Sequence, residues 1–181
     1  RGFVPIFTAL LGILFLGDAL DPLTLAAIAL VSLGILCLAA RGSISPTGLL
    51  AAAITGLFTT AYTLIDAKGV RAAPDALTFV AWFFLMGSLA MPAALLARHG
   101  RAAFGLMARD RKAGLLAGIM ALVSFAPALF ALGLAPVGAV AAIRESSIII
   151  ALLLGSLVLK EKLGTRRLSG ALLVTAGMLG V

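Results

Sequence analysis

Arg144 and Glu145 stand side by side inside an otherwise apolar run, residues 137–159, that is closed by Lys160, Glu161 and Lys162. About twenty apolar residues let a helix cross roughly 30 Å of hydrocarbon, so this run is long enough to span a bilayer. A charged side chain near the centre of such a helix costs on the order of 2.5 to 3.5 kcal/mol on insertion scales unless it meets an opposite charge, water or a ligand. The pair is therefore the first candidate for substrate or proton handling. Neighbouring side chains leave a helix about 100° apart, so each needs its own surroundings. The competing structural account has Arg144 snorkelling to the interface and Glu145 held in a local network.

Further candidates sit on other runs. Thr55, Thr59, Tyr62 and Asp66 follow one another at spacings of four, three and four, so they share one helical face. Lipid offers such a face no partners, which predicts that it turns inward and lines a cavity. The plainer alternative is threonine bonding back to its own helix and tyrosine anchoring at the interface. Asp66 and Lys68 read as solvated segment ends. Ser147, Ala151 and Gly155 continue from Arg144 at helical spacing; close helix packing explains the two small residues, while the Ser147 hydroxyl could also meet a solute. Trp82 is either an interface anchor or a ligand platform.

The composition says what must position these residues. Of 181 residues, 62% are hydrophobic and 12% charged, against about 25% charged in soluble domains, and the mean hydropathy is +1.20. This is the profile of an all-α, polytopic transmembrane helix bundle. The net charge of +7 comes from basic residues in the short gaps between apolar runs, the membrane-protein pattern, so no nucleic-acid partner is expected. Cys37 lies within an apolar run and reads as buried filler. With one histidine, His99, in a basic loop, no metal-ligand set is expected. No Walker loop, HExxH or Gly-x-Ser-x-Gly pattern points to nucleotide-driven or hydrolytic chemistry, and no cofactor is expected.

Seven apolar segments can be drawn, at about 3–16, 23–40, 48–65, 76–97, 113–132, 137–159 and 168–181. Gly17, Asp18 and Pro22 separate the first two, and Pro92 and Pro127 lie inside the fourth and fifth. Polar connectors are expected at 66–75 and at 98–112, the latter the most basic part of the chain. Counting Lys and Arg by side puts that loop in the cytoplasm and the C-terminus outside. Opening on Arg1, with a short first run, the chain reads as an N-terminally truncated fragment.

Sliding the chain by 143 positions aligns the first two segments with the last two. Arg1 falls on Arg144, Gly12 on Gly155, Asp18 on Glu161 and Gly34 on Gly177. Leucine matches are cheap here; glycines, the arginines and the acid after each run are not. A duplicated unit with an odd number of helices would enter the membrane from opposite sides, making an inverted repeat.

Pro5 to Gly12, followed by Leu16-Gly17-Asp18, Pro22 and a helix bearing Gly34, resembles the end of an EamA-type domain of the drug/metabolite transporter superfamily. Arg144-Glu145-Ser146-Ser147 through Gly155 to Leu159-Lys160-Glu161-Lys162-Leu163 is similar to the same ending in a second copy. The resemblance implies seven segments of a ten-helix inverted-repeat carrier: residues 1–40 as the last two helices of a first repeat and 47–181 as the second. It further implies a multi-pass protein of the bacterial inner membrane with both termini cytoplasmic, against the basic-loop count. The implied partners are the lipid bilayer, a small-molecule solute and a second copy of the chain in a homodimer. The function expected is secondary transport of small metabolites, amino acids or drugs by alternating access. A membrane-embedded enzyme acting on a lipid and a non-transporting membrane scaffold are the alternatives.

Overall fold

The computed structural model describes residues 2–39, 45–158 and 165–181. These form helices joined by short connections: α1 (Val4–Leu16), α2 (Pro22–Ala39), α3 (Pro46–Ala72), α4 (Ala76–His99), α5 (Ala102–Arg109), α6 (Arg111–Leu134), α7 (Val137–Arg144), α8 (Ser146–Val158) and α9 (Thr165–Leu179). α7 and α8 succeed each other across Glu145 as one apolar stretch of 22 residues, Val137–Val158. With α3, α4 and α6 it makes four stretches long and apolar enough to cross a membrane, and shorter apolar helices accompany them. Arg1, Arg41, Lys160, Glu161 and Lys162, on which part of the repeat and the orientation count rest, lie outside the described residues.

Two expected loops are corrected. The connector drawn at 66–75 is helix as far as Ala72, because Ala67 and Val70 continue the buried face of α3 past its polar residues. The basic loop at 98–112 contains α5, whose Ala103 is fully buried. A single uninterrupted sixth helix is corrected too: at Glu145 the bonding tightens, with the Glu145 amide donating to the Ala142 carbonyl at 3.2 Å and the Ile148 amide to the Glu145 carbonyl at 3.0 Å. Such three-residue steps interrupt the regular ladder.

The described residues fall into two compact units, one drawn from Arg1–Lys68 and Ala135–Val181, the other Gly69–Leu134. In the first, Ala9, Ile28, Val31, Ile35, Ala142 and Val174 form the core. α1 ends at Gly17, whose φ of 69° suits only a residue without a side chain, and the Asp18 amide then donates to the Gly12 carbonyl. This turn aims Asp18 at α7, where its Oδ2 accepts a 2.6 Å bond from the Val137 amide. A carboxylate at a helix N-terminus satisfies an orphan donor and meets the positive end of the dipole. A methyl at Gly138 would lie 2.6 Å from Ala9 Cβ, so α1 and α7 touch backbone to backbone.

α2 and α9 approach equally closely. A Cβ on Gly34 would lie 2.7 Å from Val174 Cγ2 and 2.9 Å from the Gly170 carbonyl; one on Gly177 would lie 2.7 Å from both Val31 Cγ2 and the Ala27 carbonyl. Leu38 meets Gly170 and Ala27 meets Gly180, so rising numbers on α2 face falling numbers on α9, and the helices are antiparallel. Close approach through glycine is how membrane helices gain van der Waals contact. Gly155 behaves differently, with nothing within 4 Å of a Cβ placed there, so the packing expected of it is not made among the described residues.

In the second unit an aromatic ladder joins α4 to α6. Phe83 stacks on Phe125 at 5.6 Å between centroids and also meets Phe79 and Phe84. Gly69 admits the Phe79 ring, and Arg71 Nε donates to the Leu132 carbonyl at 3.0 Å. α4 begins at Asp75, whose carboxylate accepts from the Thr78 amide and hydroxyl, and it continues through Pro92.

Candidate functional site

In the first unit, α3 turns Gly56, Thr60, Thr63 and Ala67 inward, residues that recur every three or four positions. Gly56 faces Val4 of α1, and Thr60 Oγ1 lies 3.2 Å from Thr8 Oγ1 with both residues fully buried. On the edge of this face, Thr59, Tyr62 and Thr63 line a cavity of about 150 Å³. Val4 of α1, Ala141 and Arg144 of α7, Glu145 at the helix break and Ser147 of α8 complete its wall. Since a water takes about 30 Å³ of liquid, the space suits a few waters or a solute of several heavy atoms.

The charged pair therefore sits where the helix is interrupted. Irregular backbone at membrane depth is tolerated where it is buried in protein or lines a cavity, and here it lines one. The threonines are arranged for acceptance. Thr55 Oγ1 donates to the Ala51 carbonyl at 2.8 Å, Thr59 Oγ1 to Thr55 at 2.9 Å and Thr63 Oγ1 to Thr59 at 2.8 Å. With their hydrogens directed along their own helix, Thr59 and Thr63 can act toward other groups only as acceptors, whereas the Arg144 guanidinium can only donate.

Asp66 follows Tyr62 by four and Thr63 by three, so it lies on the same side of α3 one turn beyond the lining residues. It is 8% exposed, which corrects its reading as a solvated segment end; Lys68 is exposed.

Of the residues singled out from the sequence, Thr59, Tyr62, Arg144, Glu145 and Ser147 come together around this cavity. Thr55 does not line it and stays exposed with its hydroxyl turned to its own helix. Trp82 belongs to the other unit and is 57% exposed. Thr63, Ala141 and Val4 were not anticipated. Thr63 follows Thr59 at the spacing that links Thr55 to Thr59, so the signal was present; Val4 and Ala141 carry no signal beyond being apolar.

Many of the large side chains of the long helices point outward, Leu85, Met86, Leu89 and Met91 of α4 and Leu115, Leu116 and Met120 of α6 among them. Helices of this length that expose their large apolar side chains define a polytopic α-helical membrane protein. The chain belongs to the EamA-like transporter family, whose model matches residues 46–181. The family likeness read from Arg144 to Leu163 falls within that match, and the one read from Pro5 to Gly34 lies outside it. No curated protein and no solved structure matches the chain.

Proposed function

We propose that this chain carries a small organic solute across the bacterial inner membrane by alternating access, with Arg144, Glu145, Ser147, Thr59 and Tyr62 contacting the solute. The observation that carries the reading is the coincidence of a helix break, two adjacent charges and a cavity at one place. Charges at that depth need water or a guest, and the cavity supplies room for either. Thr55 and Trp82 enter the proposal only for another conformation, outside the cavity described here.

The two-copy organisation, residues 1–40 and 47–181, is supported by the α2 and α9 contacts. Gly34 and Gly177, Val31 and Val174, and Ala27 and Gly170 are the pairs matched by the 143-residue shift. That shift converts the Gly34 to Val174 contact into the Gly177 to Val31 contact, and Gly34 to Gly170 into Gly177 to Ala27. An antiparallel pair that exchanges its own contacts in this way is what a two-fold axis across the helices would produce. A two-fold axis in the membrane plane relates inverted repeats in many carriers.

The test is flux in proteoliposomes, following a substrate screen in cells overexpressing the protein. Arg144→Ala should lower uptake at unchanged reconstitution, and Ser147→Ala should raise KM more than it lowers the maximal rate. Flux unaffected by both substitutions would end this assignment of the site.

A further inference from the structure

Between α4 and α6 the sequence runs from Arg98 and Arg101 to Arg109, Arg111 and Lys112, five cations around the apolar α5, with Asp110 the one acid among them. α4 and α6 are each long and apolar enough to cross a membrane, so residues 100–110, which join them, lie at one membrane surface. At about 100° per residue, Leu106, Ala103, Met107 and Phe104 follow one another around one side of α5, and Arg101, Gly105 and Arg109 fall on the other. α5 packs on α4, with Ala103 fully buried. Phe104 and Leu106, on the two flanks of that apolar side, stay 63% and 43% exposed. A helix with such sides at a membrane surface lies in its plane, the apolar side at the boundary of headgroups and acyl chains. All five cations are exposed. Arg111 and Lys112 open α6 at the positive end of its dipole, where a cation is unfavourable, so that helix gains nothing from them.

We propose that α5 and its basic flanks form a binding site for anionic phospholipid, with Phe104 and Leu106 set among the upper acyl chains and Arg98, Arg101, Arg109, Arg111 and Lys112 meeting headgroup phosphates. Four of the five cations are arginines, whose planar fork matches a phosphate through two parallel hydrogen bonds. A zwitterionic headgroup carries the same phosphate but also its own cation, which a basic cluster repels. The site therefore selects by the net charge of the headgroup, and added salt weakens the selection. Soluble phosphate shares the charge but lacks the acyl chains that Phe104 and Leu106 call for. The site follows from the membrane-spanning fold and holds whether or not the chain carries a solute.

Trp82 is the chain's single tryptophan, so Trp82→Phe combined with Phe104→Trp places one fluorescent reporter on α5. In nanodiscs of phosphatidylcholine and phosphatidylglycerol, with each lipid brominated in turn at matched amounts, quenching reports which lipid lies against that helix. The expected result is local enrichment of phosphatidylglycerol by at least about fivefold, the worth of one cation near an anionic surface. Sodium chloride should lower the enrichment, as should Arg101→Gln with Arg109→Gln and Arg111→Gln with Lys112→Gln, whereas Lys68→Gln on α3 should leave it unchanged. Equal quenching by the two lipids would overturn the preference, and quenching by neither would remove α5 from the bilayer and the site with it. Enrichment that survives all four neutralisations together would overturn the assignment to these side chains; should that variant fail to fold, the two paired variants decide. Enrichment abolished by inorganic phosphate, but not by chloride at equal ionic strength, would mark a soluble-anion site and overturn the lipid one. None of these readouts depends on flux.

Discussion

Thr8 and Thr60 meet hydroxyl to hydroxyl, 3.2 Å apart, with no exposed surface on either residue. The bond ties α1 to α3 on the face just behind the cavity. Removing one partner leaves a buried hydroxyl unsatisfied, at a cost of about 1 to 3 kcal/mol. Thr8→Val and Thr60→Val should each destabilise the protein by that order. The double variant should recover most of the loss, because valine replaces threonine at nearly constant volume. A double-mutant cycle by denaturant unfolding in mild detergent measures the coupling; strictly additive losses would deny it.

Gly34 and Gly177 should respond alike to alanine. At each, the added methyl would lie 2.7 Å from a valine Cγ2 and 2.8 Å from that valine's backbone nitrogen. Backbone cannot step aside as a flexible side chain does, so each change should cost about 1 to 3 kcal/mol of overpacking. Gly155→Ala meets open space and should be neutral, or stabilising by up to about 1 kcal/mol through helix propensity. Thermal unfolding of the three variants should separate the first two from the third.

Asp18 Oδ2 accepts from the Val137 amide in the first turn of α7. Asp18→Ala strands the Val137 amide and should cost about 1.5 to 3 kcal/mol, the range for a hydrogen bond to a charged group. Asp18→Asn keeps an acceptor and should recover about half of that. Amide hydrogen exchange at Val137 reads the effect locally. Unchanged protection there in Asp18→Ala would show that the bond contributes nothing to α7.

Asp21 and Asp75 cap α2 and α4 in the same way. Each accepts bonds from the hydroxyl and amide of a threonine three residues on, Thr24 and Thr78. The threonine hydroxyl first, and then its amide, hold each carboxyl below the ordinary value of 3.8. A folded-state value depressed below the unfolded one means stabilisation that is fully present above pH 3.8 and is lost as pH falls through the lower, folded value. Asp75→Asn, which can still cap, should remove that part of the acid dependence while leaving α4 helical near neutrality. Circular dichroism melts across the acid range check both halves of the expectation.

Much of this architecture is readable from hydropathy alone, because a helix that meets lipid must be apolar over a length that the bilayer sets. The seven apolar segments are helical over nearly all of their described residues, the turn at Glu145 and a few end residues apart. What hydropathy hides is a helix whose charged residues stand beside apolar ones that are still buried. Asp66 and Lys68 look like an exit from the membrane, but α3 continues past them because Ala67 and Val70 still face a core. α5 is masked by Arg101, Arg109 and Arg111, and the break at Glu145 is announced by neither glycine nor proline. At the cavity, residue type was informative and rotation was not. Spacing groups Thr55 with Thr59 and Tyr62, whereas the contacts of α1 with Gly56 and Thr60 decide which edge of that helix turns inward.

The glycine seam between α2 and α9 also determines where a solute cannot go. Two helices that pack glycine backbone directly against valine side chains and carbonyl groups leave less width than an acyl chain or a hydrated ion requires, so the seam between them is closed. The cavity lined by Tyr62 and Arg144 draws on neither of those two helices, so the room for a guest and the closed seam belong to different parts of the fold.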